Sequence, residues 1–102
     1  MPYFVLDNQF NIIPANSKEE WEDFMYYHYP DIEENFPYFE TNRYVMQLIF
    51  DGSSRNKLFI VVCDYIEEDI IINTDDTINN YIEALEIFDE LAEQIRNSPV
   101  FG

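Results

Sequence analysis

Residues 43–66 read RYVMQLIFDGSSRNKLFIVVCDYI, and this stretch decides the fold. Tyr44, Met46, Leu48 and Phe50 fall on every second position, the period of a strand that buries one face. Leu58–Ile66 has almost no polar break, which predicts a central strand covered on at least part of both faces. Between them DGSSRNK (51–57) is polar and turn-prone, so the two runs are expected to pair as an antiparallel hairpin.

The neighbours extend this sheet. DIIIN (69–73) predicts a further strand after a tight turn at Glu67-Glu68. At the other end, Tyr3–Leu6 and Phe10–Ile13 flank the turn-prone Asp7-Asn8 and predict a second hairpin closed by Pro14. Ser17 and Glu20 have capping-box spacing. Trp21, Phe24, Met25 and His28 then follow helical spacing, and Pro30 is expected to stop that helix. DIEENFPYFETN (31–42) reads as irregular, with at most one short helical turn. From Thr74 the period changes again. Ile78, Tyr81, Ile82, Leu85, Phe88, Leu91, Ala92 and Ile95 predict one apolar stripe on a long helix. Thr74, Asp75, Asp76 and Thr77 offer its cap and the acids beside its N-terminus, and Arg96 lies in its last turn. The expected fold is α+β: a single acidic domain over residues 1–102, with an antiparallel sheet of four to five strands and two main helices. The long C-terminal helix is expected to pack on the sheet.

Composition narrows the function. The 102 residues include 9 Phe and 8 Tyr, ample for a core, yet the net charge is −16. A folded chain of this mass exposes roughly 6,000 Å², or about one net negative charge per 400 Å². Such a surface repels nucleic-acid phosphates and anionic lipid, and its natural complement is a basic partner. One Cys permits no internal disulfide, no apolar run approaches membrane length, and "MPYFVLDNQF" lacks the basic start of a signal peptide. These features predict a cytoplasmic protein, monomeric or homodimeric, with no cofactor and no metal.

The opening YFVLDNQFNIIPANSKEEWEDFM resembles a family of short phage and prophage proteins. These begin with an aromatic-rich strand, Leu-Asp, an Asn-containing turn, a hydrophobic-Pro pair and a Glu-Trp helix. The matching positions are Tyr3, Leu6, Asp7, Asn11, Pro14, Glu20 and Trp21. The later order is similar as well: a strand ending in Asp51, a polar loop, a strand starting Leu58-Phe59, then a strand, Thr74 and a helix. The chain departs from the pattern after Phe59, where the family carries Glu and Met before a Phe-Gly pair. The resemblance implies a small α+β fold and a viral or mobile-element origin, and it implies no catalytic residue.

The acids are the strongest functional signal. Cys63–Ile95 holds eleven carboxylates and no Lys, Arg or His, whereas residues 1–57 carry ten acids and four bases. A merely solvated face normally interleaves lysines. A protein that grips DNA touches about 6–10 phosphates over roughly 1,000 Å², so a decoy must concentrate its carboxylates on one face. The candidate partner-binding set is Glu67, Glu68, Asp69, Asp75 and Asp76 on the turns, with Glu83, Glu86, Asp89, Glu90 and Glu93 on the helix. A secondary set, Tyr27, Tyr29, Asp31, Glu33, Glu34 and Tyr38, interleaves aromatics with acids. That suits a protein interface, where Tyr anchors are common, and not a nucleic-acid binder, which interleaves aromatics with bases. His28 reads as a helix-terminal packing residue and Cys63 as a buried thiol. No catalytic spacing stands out, so no enzyme is expected.

By class, the chain resembles the acidic counter-defence inhibitors of phages. It is expected to occupy the basic nucleic-acid-binding surface of a CRISPR effector or a restriction enzyme. An immunity protein against a basic nuclease toxin, or a phage assembly protein, is the alternative.

Overall fold

The computed structural model describes residues 2–53, 56–73 and 78–97. Its architecture is α+β, with a two-stranded and a four-stranded antiparallel sheet. Strands β1 (Phe4–Leu6) and β2 (Ile12–Pro14) form the first. The second has the order β3 (Tyr38–Glu40), β4 (Tyr44–Ser53), β5 (Asn56–Asp64), β6 (Asp69–Asn73). Helices occupy Lys18–Glu33, as α1 (Lys18–Asp23), a π-helical segment (Phe24–His28) and α2 (Tyr29–Glu33), and then α3 (Tyr81–Asn97).

The alternation in β4 works as its sequence predicts. Tyr44, Met46, Leu48 and Phe50 are all buried, and Leu58, Ile60 and Val62 of β5 lie opposite on the same face. The N-terminal hairpin, the first helix and α3 all supply residues to that one core. α3 contributes Ala84, Phe88, Ala92 and Ile95, with Tyr81 partly buried beside them. Ala84 and Ala92 have no bulk beyond Cβ, so the helix axis can sit close to the strands. Ile82 does not join them and stays 70% exposed. It lies a quarter-turn and more off the Ala84–Phe88–Ala92 line, and its hydrophobicity misplaced it in the stripe.

Three segments differ from expectation. The first helix does not stop at Pro30. The N–H of Tyr29 bonds to the carbonyl of Phe24, five residues back, so the ladder widens for one turn. Pro30 then falls in the first turn of α2, where a missing N–H is harmless. The wide turn also brings Phe24 and Tyr29 to the same side, and both are buried. Residues 38–40, read as irregular, add an edge strand paired with Gln47, Met46 and Val45. Helix α3 starts at Tyr81 and not near Thr74. Asn80 Oδ1 accepts from the Glu83 N–H (2.8 Å), and Glu83 Oε2 accepts from the Asn79 N–H (3.1 Å). This repeats the box at the first helix, where Ser17 Oγ accepts from Glu20 N–H and Glu20 accepts from Asn16 N–H. The expected cap at Thr74–Thr77 lies outside the described residues.

Aromatic rings join the elements. Tyr29 meets Phe24, Phe36 and Phe50, while Phe10 and Phe36 both contact Tyr81 at the start of α3. To make that contact Phe10 takes φ +63°, an uncommon conformation for a bulky residue. It therefore sits in the turn, and β2 begins at Ile12. Beyond Phe50 the strand bulges. Gly52 sits in the bulge at φ +76°, where an added Cβ would lie 2.3 Å from the Phe4 carbonyl oxygen. The bulge turns the Asp51 carbonyl toward Trp21, whose indole N–H donates to it at 2.7 Å.

Between the β3 pairing and the Tyr3–Ser53 bridge, a side chain reaches the backbone of β4. The Phe50 N–H donates to Tyr29 Oη at 2.8 Å inside the core, and burial pushes the Tyr29 hydroxyl up to about 12. Tyr29→Phe keeps the ring packing and leaves that N–H without its acceptor. Urea unfolding is expected to show a loss of ~1–3 kcal/mol; an unchanged midpoint would mean that another group or water takes over the N–H.

Candidate partner-binding surface

The acidic residues of the second half lie on two elements. On α3, Glu86, Asp89, Glu90 and Glu93 are exposed, on the side away from the buried Ala84, Phe88 and Ala92. Among the described residues none of the four has an ion-pair partner. Glu83 is different: it is half-buried and engaged in the cap of its own helix. Exposed Ile82 stands one turn before Glu86 on the same side of the helix.

Glu67 and Glu68 occupy the β5–β6 turn and Asp69 opens β6, at the strand end of the sheet layer. That turn is built around Asp64, which is only 3% exposed and is the single buried charged residue among those described. Asp64 Oδ2 accepts from Arg43 Nε (3.0 Å) and Nη2 (2.8 Å). Its Oδ1 accepts from the N–H groups of Ile66 (2.9 Å) and Glu67 (3.2 Å). The buried carboxylate is thus paired and fully hydrogen-bonded, the condition under which a buried charge is tolerated. Glu68 takes φ +56° to complete the turn. Turn and helix stripe therefore belong to different layers. Asp75 and Asp76 lie outside the described residues.

The secondary set is dispersed. Tyr29 is buried and leaves any contact surface. Tyr27 is 66% exposed and stacks edge-to-face with Tyr26 on the π-helical segment. Asp31 lines a cleft of about 510 Å³ with His28, Phe10 and Phe24, between the first helix and the hairpin turn. Glu33, Glu34 and Tyr38 line a separate groove of about 260 Å³ beside Gln47 and Leu48. His28 is exposed, with its ring centroid 6.3 Å from that of Phe24 at the end of the π-helical segment, and Cys63 is half-buried on the sheet face opposite the core.

The structure adds a polar group that residue spacing did not single out. Glu40 accepts from the hydroxyls of Tyr65 (2.5 Å) and Tyr38 (3.2 Å). The carboxylate holds the Tyr65 hydroxyl well above the usual phenol range. Its partners lie 25 and 2 residues away, and only strand pairing brings them together. Among the described residues no cluster of three His, Cys, Asp or Glu side chains is placed to hold a metal ion, and no helix is long and apolar enough to cross a membrane.

Compared with protein-family models, curated proteins and solved structures, the chain matches none.

Two measurements check these electrostatics. The Arg43 guanidinium holds the Asp64 carboxyl below the ordinary aspartate value. A depressed folded value adds stability above the unfolded one and loses it as pH falls through the folded one. Asp64→Asn is therefore expected to be less stable than wild type at neutral pH, with the gap closing as pH drops below the ordinary aspartate range. A gap independent of pH would remove the ion pair as its cause. Second, repulsion on a chain of net charge −16 is screened by salt, with a Debye length of about 30 Å at 0.01 M and 8 Å at 0.15 M. Raising NaCl between these values is expected to raise Tm, and a flat or falling Tm would show that self-repulsion does not limit stability.

Proposed function

We propose that this chain is a small acidic binding protein that occupies the nucleic-acid-binding surface of a basic partner. The observation that carries the reading is the charge spacing on α3. Glu86 to Glu93 spans about 10.5 Å of helix axis at 1.5 Å per residue. Four exposed carboxylates in that length give about one charge per 3.5 Å, against one phosphate per about 3.4 Å along a DNA strand. The stripe is rigid, because the opposite side of the helix is fixed in the core through Ala84, Phe88 and Ala92. It presents like charges at i, i+3 and i+4 spacing, an arrangement that costs helix stability and that recognition of cations would offset.

In this reading the carboxylates stand in for phosphates and engage Lys and Arg of the partner. Association is steered by charge, fast, and weakened by salt. The chain carries out no reaction. In the phage or mobile-element setting implied by the opening motif, the partner is a CRISPR effector or a restriction enzyme, and the outcome is competitive inhibition.

The test uses the whole chain as bait in a host lysate, with bound proteins identified by mass spectrometry. A nucleic-acid-binding protein released by added DNA or RNA, and by salt, is the expected result. Changing Glu86, Asp89, Glu90 and Glu93 together to Lys is expected to weaken that capture at least ~10-fold while the far-ultraviolet dichroism stays unchanged. Capture indifferent to nucleic acid and to the reversal would end the phosphate-mimic reading. Glu83 is left out of the variant because its carboxylate caps the helix.

A further inference from the structure

The four-stranded sheet has two faces, and the core uses one. The other carries Val45, Gln47 and Ile49 of β4, Phe59, Val61 and Cys63 of β5, and Ile70 of β6, which pairs with Cys63. None of these belongs to the hydrophobic core cluster. Val61 is nonetheless only 8% exposed, shielded at the centre of the face, while Ile70 at the edge is 55% exposed. The apolar sequence of β5 predicts cover on part of both sides. Here the helices and the core lie on one side, and the second side is an apolar sheet surface.

Its rim is polar and acidic. Beside Val45 and Gln47, β3 places Glu40 and Tyr38. Glu40 is fixed by the Tyr38 and Tyr65 hydroxyls. Glu33 and Glu34 line the groove next to Tyr38 and Gln47. The described cations near the sheet are already engaged: Arg43 with Asp64, Lys57 over the Phe4 ring at 3.9 Å, and Arg96 over the Phe39 ring at 5.3 Å.

We propose that this outer sheet face is a docking surface for a protein partner whose apolar centre is ringed by Lys and Arg. Area and charge choose that occupant. Strands of 3, 10, 9 and 5 residues, at about 3.3 Å per residue and about 4.8 Å apart, offer ~430 Å². A stable interface takes about 800 Å² from each side, so the rim must take part. A second copy of the chain would set the same acidic rim against itself, which like-charge repulsion opposes. A basic rim satisfies the area and the charge together. The surface lies in the sheet layer, away from the α3 stripe, so it does not depend on phosphate mimicry.

The probes are two synthetic peptides of equal length and charge, one alternating Leu and Lys, the other Ser and Lys. Each is titrated into the ¹⁵N-labelled full chain. The Leu/Lys peptide is expected to shift the amides of Val45, Ile49, Phe59, Cys63 and Ile70, and the Ser/Lys peptide to leave them in place. Ile49→Ser, Phe59→Ser and the surface variant Glu40→Lys are each expected to weaken Leu/Lys binding at least ~10-fold. Glu40→Lys touches no core residue and keeps the test valid if an apolar variant fails to fold. The four-Lys α3 variant is expected to bind the Leu/Lys peptide through the same amides, which separates this proposal from the decoy reading. Shifts confined to α3, equal response to both peptides, or a free dimer that Phe59→Ser dissociates would each overturn it.

Discussion

A chain with 21 acids and five bases repels itself, and every feature of the fold works under that constraint. The core side chains converge on one layer between the four-stranded sheet and the helices. Their burial offsets the repulsion, and the acids are left at the periphery, where water and salt reduce its cost. Asp64 is the exception that fits the rule. Its charge is buried only because one guanidinium and two backbone N–H groups meet it there. In return it closes the turn that carries Glu67 and Glu68. The same balance explains the packing choices on α3. Ala84, Phe88, Ala92 and Ile95 face the core, and Glu86, Asp89, Glu90 and Glu93 point outward.

Much of this was legible in residue order, and the parts that were not share a cause. The β4–β5 hairpin follows from Tyr44, Met46, Leu48 and Phe50, because period two is a local property. The α3 helix follows from its 3.6-residue pattern for the same reason. Ile82 was misplaced since an apolar residue near the edge of a stripe can fall on either side of it. The π-helical segment and β3 are set by tertiary demand. Phe24 and Tyr29 are five residues apart and must both reach Phe50, and β3 exists because Val45, Met46 and Gln47 present an open edge. No periodicity within 24–42 encodes either. The candidate site was legible only in part. The helix acids read correctly as a band, with Glu83 reassigned to the cap. Tyr29 looked like an interface tyrosine and is a core one, since its hydroxyl has a backbone partner that spacing does not reveal.

The two layers divide the surface chemically. The helix layer offers carboxylates at a regular linear density with Ile82 at their head. The sheet layer offers apolar area within an acidic rim. The high net charge of the chain opposes stacking of like copies through such a face. Charge and apolar face thus act in opposite directions on self-association: apolar area favours it and like charge opposes it.

The widened turn at Phe24–Tyr29 has a consequence for how such a chain can change length. Taking out one residue between these two would leave them four apart, still on the same helical side, and return the segment to the ordinary ladder. The core would keep its aromatic contacts. Pro30, however, would then sit deeper in an unbroken helix, where proline costs about 3 kcal/mol. The extra residue and the proline are therefore physically coupled: the widened turn is what lets Pro30 stand in the first turn of α2.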